Sequence, residues 1–119
     1  MNARTVEPSA SGADRPMRVI IWIRADLSGP SADRHYRMIR REIDDGPYEL
    51  VREYIGAASM WAAPTAQLIS ACAAADVDGV FTPSSEHLGD GLITASAFAS
   101  VMAVEPRECW LRGRRVDRP

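Results

Sequence analysis

The chain contains no lysine: all 14 of its Lys-plus-Arg residues are arginine. That absence excludes any mechanism needing a lysine. It also excludes a phosphoacceptor site in which Asp26, after a first strand, would work beside an acidic pair and a lysine. Arginine in place of lysine fits the codon bias of a GC-rich bacterial genome. Cysteine is scarce as well. Cys72 and Cys109 lie far apart with no close Cys or His partner, and they read as buried free thiols of a cytoplasmic protein. A metal set drawn from Cys72, Cys109, His35 and His87 has no recognised ligand spacing. No apolar run approaches the ~18–20 residues of a membrane span, and nothing reads as a signal peptide, so no membrane partner is expected. Charge of one sign is lacking too. A net charge of -2 fits neither a basic nucleic-acid module nor an acidic tail. No cofactor is expected.

What is present is one domain of 119 residues, long enough to bury about 65% of its unfolded surface. It is organised around Arg18-Val19-Ile20-Ile21-Trp22-Ile23-Arg24-Ala25-Asp26-Leu27-Ser28. This is a continuous apolar run ending in an arginine, followed by a polar loop with Gly29 and Pro30. Such a run reads as a strand buried on both faces, the first of a parallel sheet. In sheets of this kind function sits at the carboxyl ends of the strands, which puts Arg24 and Asp26 where chemistry is expected.

Residues 1–16, rich in Pro, Ser, Ala and Gly without periodicity, read as a disordered leader. Strand one covers about Val19 to Arg24, and Ala25 to Asp33 reads as a loop in which Ser31 or Asp33 can cap the next helix. That helix, about Ala32 to Asp45, carries a core stripe of Tyr36, Ile39 and Ile43. Arg34, Arg37 and Arg41 lie on another face. They are either a phosphate-binding stripe or a solvated face balanced by Glu42, Asp44 and Asp45. Gly46-Pro47 ends the helix. Tyr48 to Ile55 alternates as strand two, near the sheet edge because of its charges. Gly56 to Ala63 is a loop with Met60 and Trp61 at its tip, either a contact surface or a cover for the following helix. Pro64 opens that helix, with Leu68, Ile69, Cys72 and Ala73 facing inward. Val80 to Thr82 is strand three, Pro83 to Gly91 a loop, and Leu92 to Ala103 a third helix capped by Asp90. Glu108 to Arg112 is strand four, and the arginine-rich end, 114–119, frays. The domain at 17–113 is therefore expected to be an α/β three-layer sandwich with right-handed crossovers. Its mostly parallel sheet has four strands, or five if a further one is recruited.

Three blocks, in order and at matching separations, carry a family resemblance. Arg18 to Asp26 resembles the opening strand of serine recombinases (resolvases and invertases), which ends in Tyr-x-Arg-Val-Ser. GPYELVREYIG, residues 46–56, resembles their Gly-Tyr-Glu-hydrophobic second strand. DGVFTPSSEHLGD, residues 78–90, resembles their strand and loop ending in Leu-Asp-Arg-Leu-Gly-Arg. Ala63-Pro64 falls where the family has Arg-Pro. The resemblance covers about Arg18 to Gly113 and implies a resolvase-like fold.

In the family a serine after the first strand attacks a DNA phosphodiester while arginines hold the phosphate. Carried over, Arg24 matches a family arginine, but the serine position is Asp26 and the arginine before Pro64 is Ala63. In the last motif Glu86 stands for the aspartate, His87 for the adjacent arginine and Asp90 for the final arginine. Removing one positioned transition-state donor typically costs ~10²–10³ in rate; here most are gone, together with the nucleophile. A carboxylate ~6 Å from a phosphate at an effective dielectric constant of ~20 repels it by roughly 3 kcal/mol, so Asp26 and Asp90 disfavour DNA. Family members continue into a long dimerising helix and a helix-turn-helix domain, whereas this chain stops at Pro119. The resemblance is to the catalytic domain alone.

The resemblance therefore implies a catalytically inactive recombinase-like domain, a relic or regulator of DNA recombination. Such a domain acts, if at all, by protein contact or self-association. Two other readings stay open. Arg24, Asp26, Glu86 and His87 can carry a repurposed phosphoryl-transfer activity, and Asp26, Glu86, His87 and Asp90 can converge on a hard cation at the rim. Arg34, Arg37, Arg41 and the tail from Arg112 to Arg118 can bind nucleic acid weakly and non-specifically. Ser28 is a possible displaced nucleophile, without an identifiable general base.

Overall fold

A computed structural model describes residues 16–56, 64–73, 77–111 and 114–116. At its centre lies β1 (Met17–Arg24), in which every side chain from Val19 to Ile23 is buried. Successive side chains of a strand point to opposite faces, so an unbroken apolar run requires cover on both. The structure supplies it. Val19, Ile21 and Ile23 pack with Ile39 and Ile43 of the helix Ala32–Asp45, here α2. Ile20 and Trp22 pack with Leu68 and Cys72 of α3 (Pro64–Ala73) and with Ala95 of α4 (Leu92–Phe98). The result is a three-layer α/β arrangement, with α2 on one side of the sheet and α3 and α4 on the other.

The sheet has six strands in the order β2-β1-β3-β4-β5-β6. β2 (Tyr48–Gly56), β1, β3 (Gly79–Thr82) and β4 (Ser100–Val104) run parallel. β5 (Arg107–Leu111) returns antiparallel to β4, and β6 (Arg114–Val116) pairs antiparallel with β5. The charged strand β2 lies at the edge, as its composition predicts. The helix 32–45 has the predicted bounds, with Ile39 and Ile43 buried and Tyr36 partly so.

Five expectations need correction. The segment Ala25 to Asp33 is not a plain loop: Ala25–Ser28 forms a short helix, α1, and Gly29–Ser31 a 3-10 turn. Ser31 stands at the N-cap of α2 but its side chain makes no capping bond. In α3, Ala73 is exposed and Ala71 packs inward instead, beside Leu68 and Cys72.

The fourth correction is the largest. The helix predicted to Ala103 ends at Phe98, and Ser100–Val104 is a strand buried along its whole length. A short apolar run buried on both faces shows no two-residue alternation, and its Ala and Ser content mimics a helix. The segment expected as strand four is consequently the fifth, antiparallel. Part of 114–119, expected to fray, instead forms β6. Residues 1–15 of the expected leader, the loop tip with Met60 and Trp61, and Ala63 lie outside the described residues. Both cysteines are buried and neither is in a disulfide, Cys72 lying in one core cluster and Cys109 in the other.

Candidate functional site

The carboxyl ends of the parallel strands gather the chemistry-bearing side chains. β3 pairs with β1 only as far as Ile21, and Pro83 then turns the chain away without an N–H to offer. The backbone N–H of Arg24 needs another acceptor, and Nδ1 of His87 provides it at 2.9 Å. In return, Nε1–H of Trp22 donates to the His87 carbonyl at 3.1 Å. His87 thus pins its loop across the end of β1. Only 4% of it is exposed. Burial, first, then repulsion by His35 when that ring is protonated and by Arg24, push its imidazole down to about 4, opposed by Asp26. His87 is neutral at neutral pH, and because Nδ1 accepts, the proton sits on Nε2.

Beside it, the guanidinium of Arg24 binds the carboxylate of Asp26 through Nη2 to Oδ2 at 2.6 Å and Nε to Oδ1 at 3.3 Å. Arg24, Asp26 and His87 are therefore brought together. Glu86 is exposed on the 3-10 turn Ser85–His87. The side chain of Asp90, like Ala63, lies outside the described residues. Among the described residues, no group of three or more His, Cys, Asp or Glu side chains is placed to hold a metal ion.

Of the arginines of α2, Arg34 and Arg40 are committed to ion pairs. Arg34 makes a two-pronged bond to Glu105, both contacts at 2.8 Å. Arg40 reaches Asp44 and Glu53. Arg37 and Arg41 are exposed. Arg41 borders a cleft of about 530 Å³ that is also lined by Glu42, Asp45, Tyr48 and Arg107. There, Glu42 and Arg107 are paired with each other.

A second constellation on the same rim gives Ser28, the displaced nucleophile that the sequence offers without a base, a histidine and a carboxylate. Ser28, the last residue of α1, has its Oγ 2.8 Å from Nδ1 of His35, in the first turn of α2. Nε2 of His35 lies 2.9 Å from Oε1 of Glu105, which follows β4. The Arg34 bond, first, and the His35 bond hold the Glu105 carboxyl down to about 2. The rings of His35 and His87 meet edge to face, their centroids 6.4 Å apart. A serine near a histidine seven residues on is the one sequence signal of this group. Its carboxylate, 70 residues away from the histidine, has none.

Among the described residues no helix is long and apolar enough to cross a membrane. No protein-family model and no curated protein matches the chain.

Proposed function

We propose that this chain is a degenerate serine-recombinase-like domain that no longer cleaves DNA and acts through contact with protein, its own kind or another. The observation that supports this reading is the Arg24–Asp26 pair. The arginine that matches the family's phosphate-holding residue is bound to the aspartate occupying the family's serine position. A guanidinium fork already filled by a carboxylate has lost the geometry with which arginine grips phosphate. The same carboxylate puts a negative charge where an attacking hydroxyl is required and where a phosphodiester would have to sit. One substitution thus removes the nucleophile and neutralises the grip.

Incubation of the purified chain with supercoiled plasmid, followed by denaturing electrophoresis, tests the reading. The expected result is unrelaxed plasmid and no covalent protein–DNA band, and either product refutes it. Sedimentation over a concentration series tests contact between copies, with association expected to weaken when the 80% exposed Ile93 is changed to aspartate.

A further inference from the structure

We infer that Ser28 is an activated nucleophile, served by His35 as general base and by Glu105 and Arg34 as positioning residues, and that it reacts with small neutral carboxylic esters. This goes beyond the loss of DNA cleavage proposed above, and the two are tested by different products.

The argument starts from hydrogen-bond inventory. Glu105 is ionised at neutral pH, and a carboxylate can only accept. The Nε2 of His35, 2.9 Å away, must therefore carry a proton and donate it. In the neutral imidazole that leaves Nδ1 as an acceptor, and the group 2.8 Å from it is the Ser28 hydroxyl. The hydroxyl proton thus points at the nitrogen able to take it. Hydroxyl, imidazole and carboxylate in hydrogen-bonded series are the parts of a base-activated serine. Arg34 clamps Glu105 through both terminal nitrogens, which fixes the carboxylate that sets the tautomer. The four residues come from three separate places in the fold: the end of α1, the first turn of α2 and the turn after β4.

Access and charge select the substrate. Ser28 is 7% exposed, which excludes bulky partners. The adjoining Gly29, at φ +55, has open space where a side chain would project, with nothing within 4 Å of an added Cβ. A small molecule can approach Oγ over this glycine. The arginines that flank the series, Arg24 and Arg34, are each bound to a carboxylate. No net positive charge is left for an anion there, and a neutral ester suits the site better than a phosphate.

In the step inferred, Ser28 Oγ bonds to the ester carbonyl carbon while its proton passes to His35 Nδ1. The carbon–alkoxide bond breaks, and the leaving oxygen takes that proton. Water then attacks the acyl-serine, its proton travelling through the same nitrogen. The carboxylic acid departs and the serine is restored.

The test uses the full chain and p-nitrophenyl acetate. The expected outcome is a stoichiometric burst of p-nitrophenolate and a single acetyl group, mapped to Ser28 by peptide mass analysis. S28A should lose both, and S84A should keep both. General-base loss in H35Q should slow acetylation by about 10²–10⁴-fold. E105Q, whose amide can donate as well as accept, should slow it while circular dichroism stays unchanged. It should also shift the His35 ring-nitrogen NMR signals away from the Nε2–H tautomer, which a merely structural role would not do. Acetylation elsewhere, no acetylation, or Ser28 labelling in H35Q or E105Q at the wild-type rate overturns the inference. Should either S28A or H35Q fail to fold, the E105Q rate and tautomer still decide. Plasmid relaxation is scored separately, so neither outcome stands in for the other.

Discussion

Acidification should weaken this fold through one histidine. His87 is buried and accepts the Arg24 N–H through Nδ1, and its imidazole lies at about 4 against an ordinary 6.5. Protonation in place would put a hydrogen on Nδ1, the accepting nitrogen, where it would face the Arg24 N–H donor. The unfolded chain therefore binds a proton that the folded one refuses, and stability falls as pH drops. The term is fully present above pH 6.5, is lost progressively down to about pH 4, and is then exhausted. A shift of that size corresponds to about 3 kcal/mol over the whole window, and about 2 kcal/mol of it is lost between pH 7 and pH 5. Glu105 also favours the folded state at higher pH, but its window lies lower, from 4.5 down to about 2. Measurement at pH 5 thus keeps the two apart. The comparison is urea unfolding at pH 7 and pH 5 of the wild type and of H87N, in which the amide oxygen replaces Nδ1 as acceptor but cannot titrate. The wild type should lose about 2 kcal/mol more than H87N between the two values. Equal losses would refute the reasoning, whatever the absolute stability of the variant.

Three other outcomes follow from the geometry. W22F removes the donor to the His87 carbonyl and leaves that oxygen unpaired in the core. Urea unfolding should show a loss of about 2–4 kcal/mol with an unchanged m-value. I39A empties a fully buried position between α2 and the sheet, and the same measurement should show a cost of about 2–5 kcal/mol. D26N frees the Arg24 guanidinium, and titration with inorganic phosphate at low salt should give about tenfold tighter binding than wild type, a 1.4 kcal/mol effect. Unchanged affinity would mean that Asp26 does not block that arginine.

The parts of the fold legible in the sequence were those with a strong period or a distinctive run. The helix 32–45 announced itself by Ile39 and Ile43 on one stripe, and β1 by five consecutive apolar residues. The charged β2 declared its place at the edge. What stayed hidden was β4, because Ser100 to Val104 is buried on both faces and carries no alternation to distinguish strand from helix. That one misreading also hid the candidate site. With 92–103 taken as a helix, Glu105 falls at a helix end with no set position, whereas after a central parallel strand it arrives on the rim beside His35. His35 stands only seven residues from Ser28, but the carboxylate that orients its ring is brought to it only by the fold. His87 shows the converse. Its position after strand three was legible, but the use of its ring as a substitute sheet partner depends on where β3 leaves β1, which no local pattern records.

The centrality of β1 has a consequence for how the polypeptide is made. Arg18 at its start finds its partners Glu49 and Asp78 at separations of 31 and 60 residues. At ~5–20 residues per second, about 3–12 s pass between the emergence of Val-Ile-Ile-Trp-Ile from the ribosome and that of the second partner. Throughout that interval the nascent chain displays a proline-free, uncharged segment of the kind that seeds intermolecular strands. Arg18 and Arg24, which bracket it, serve as gatekeepers against aggregation before they serve any purpose in the finished molecule.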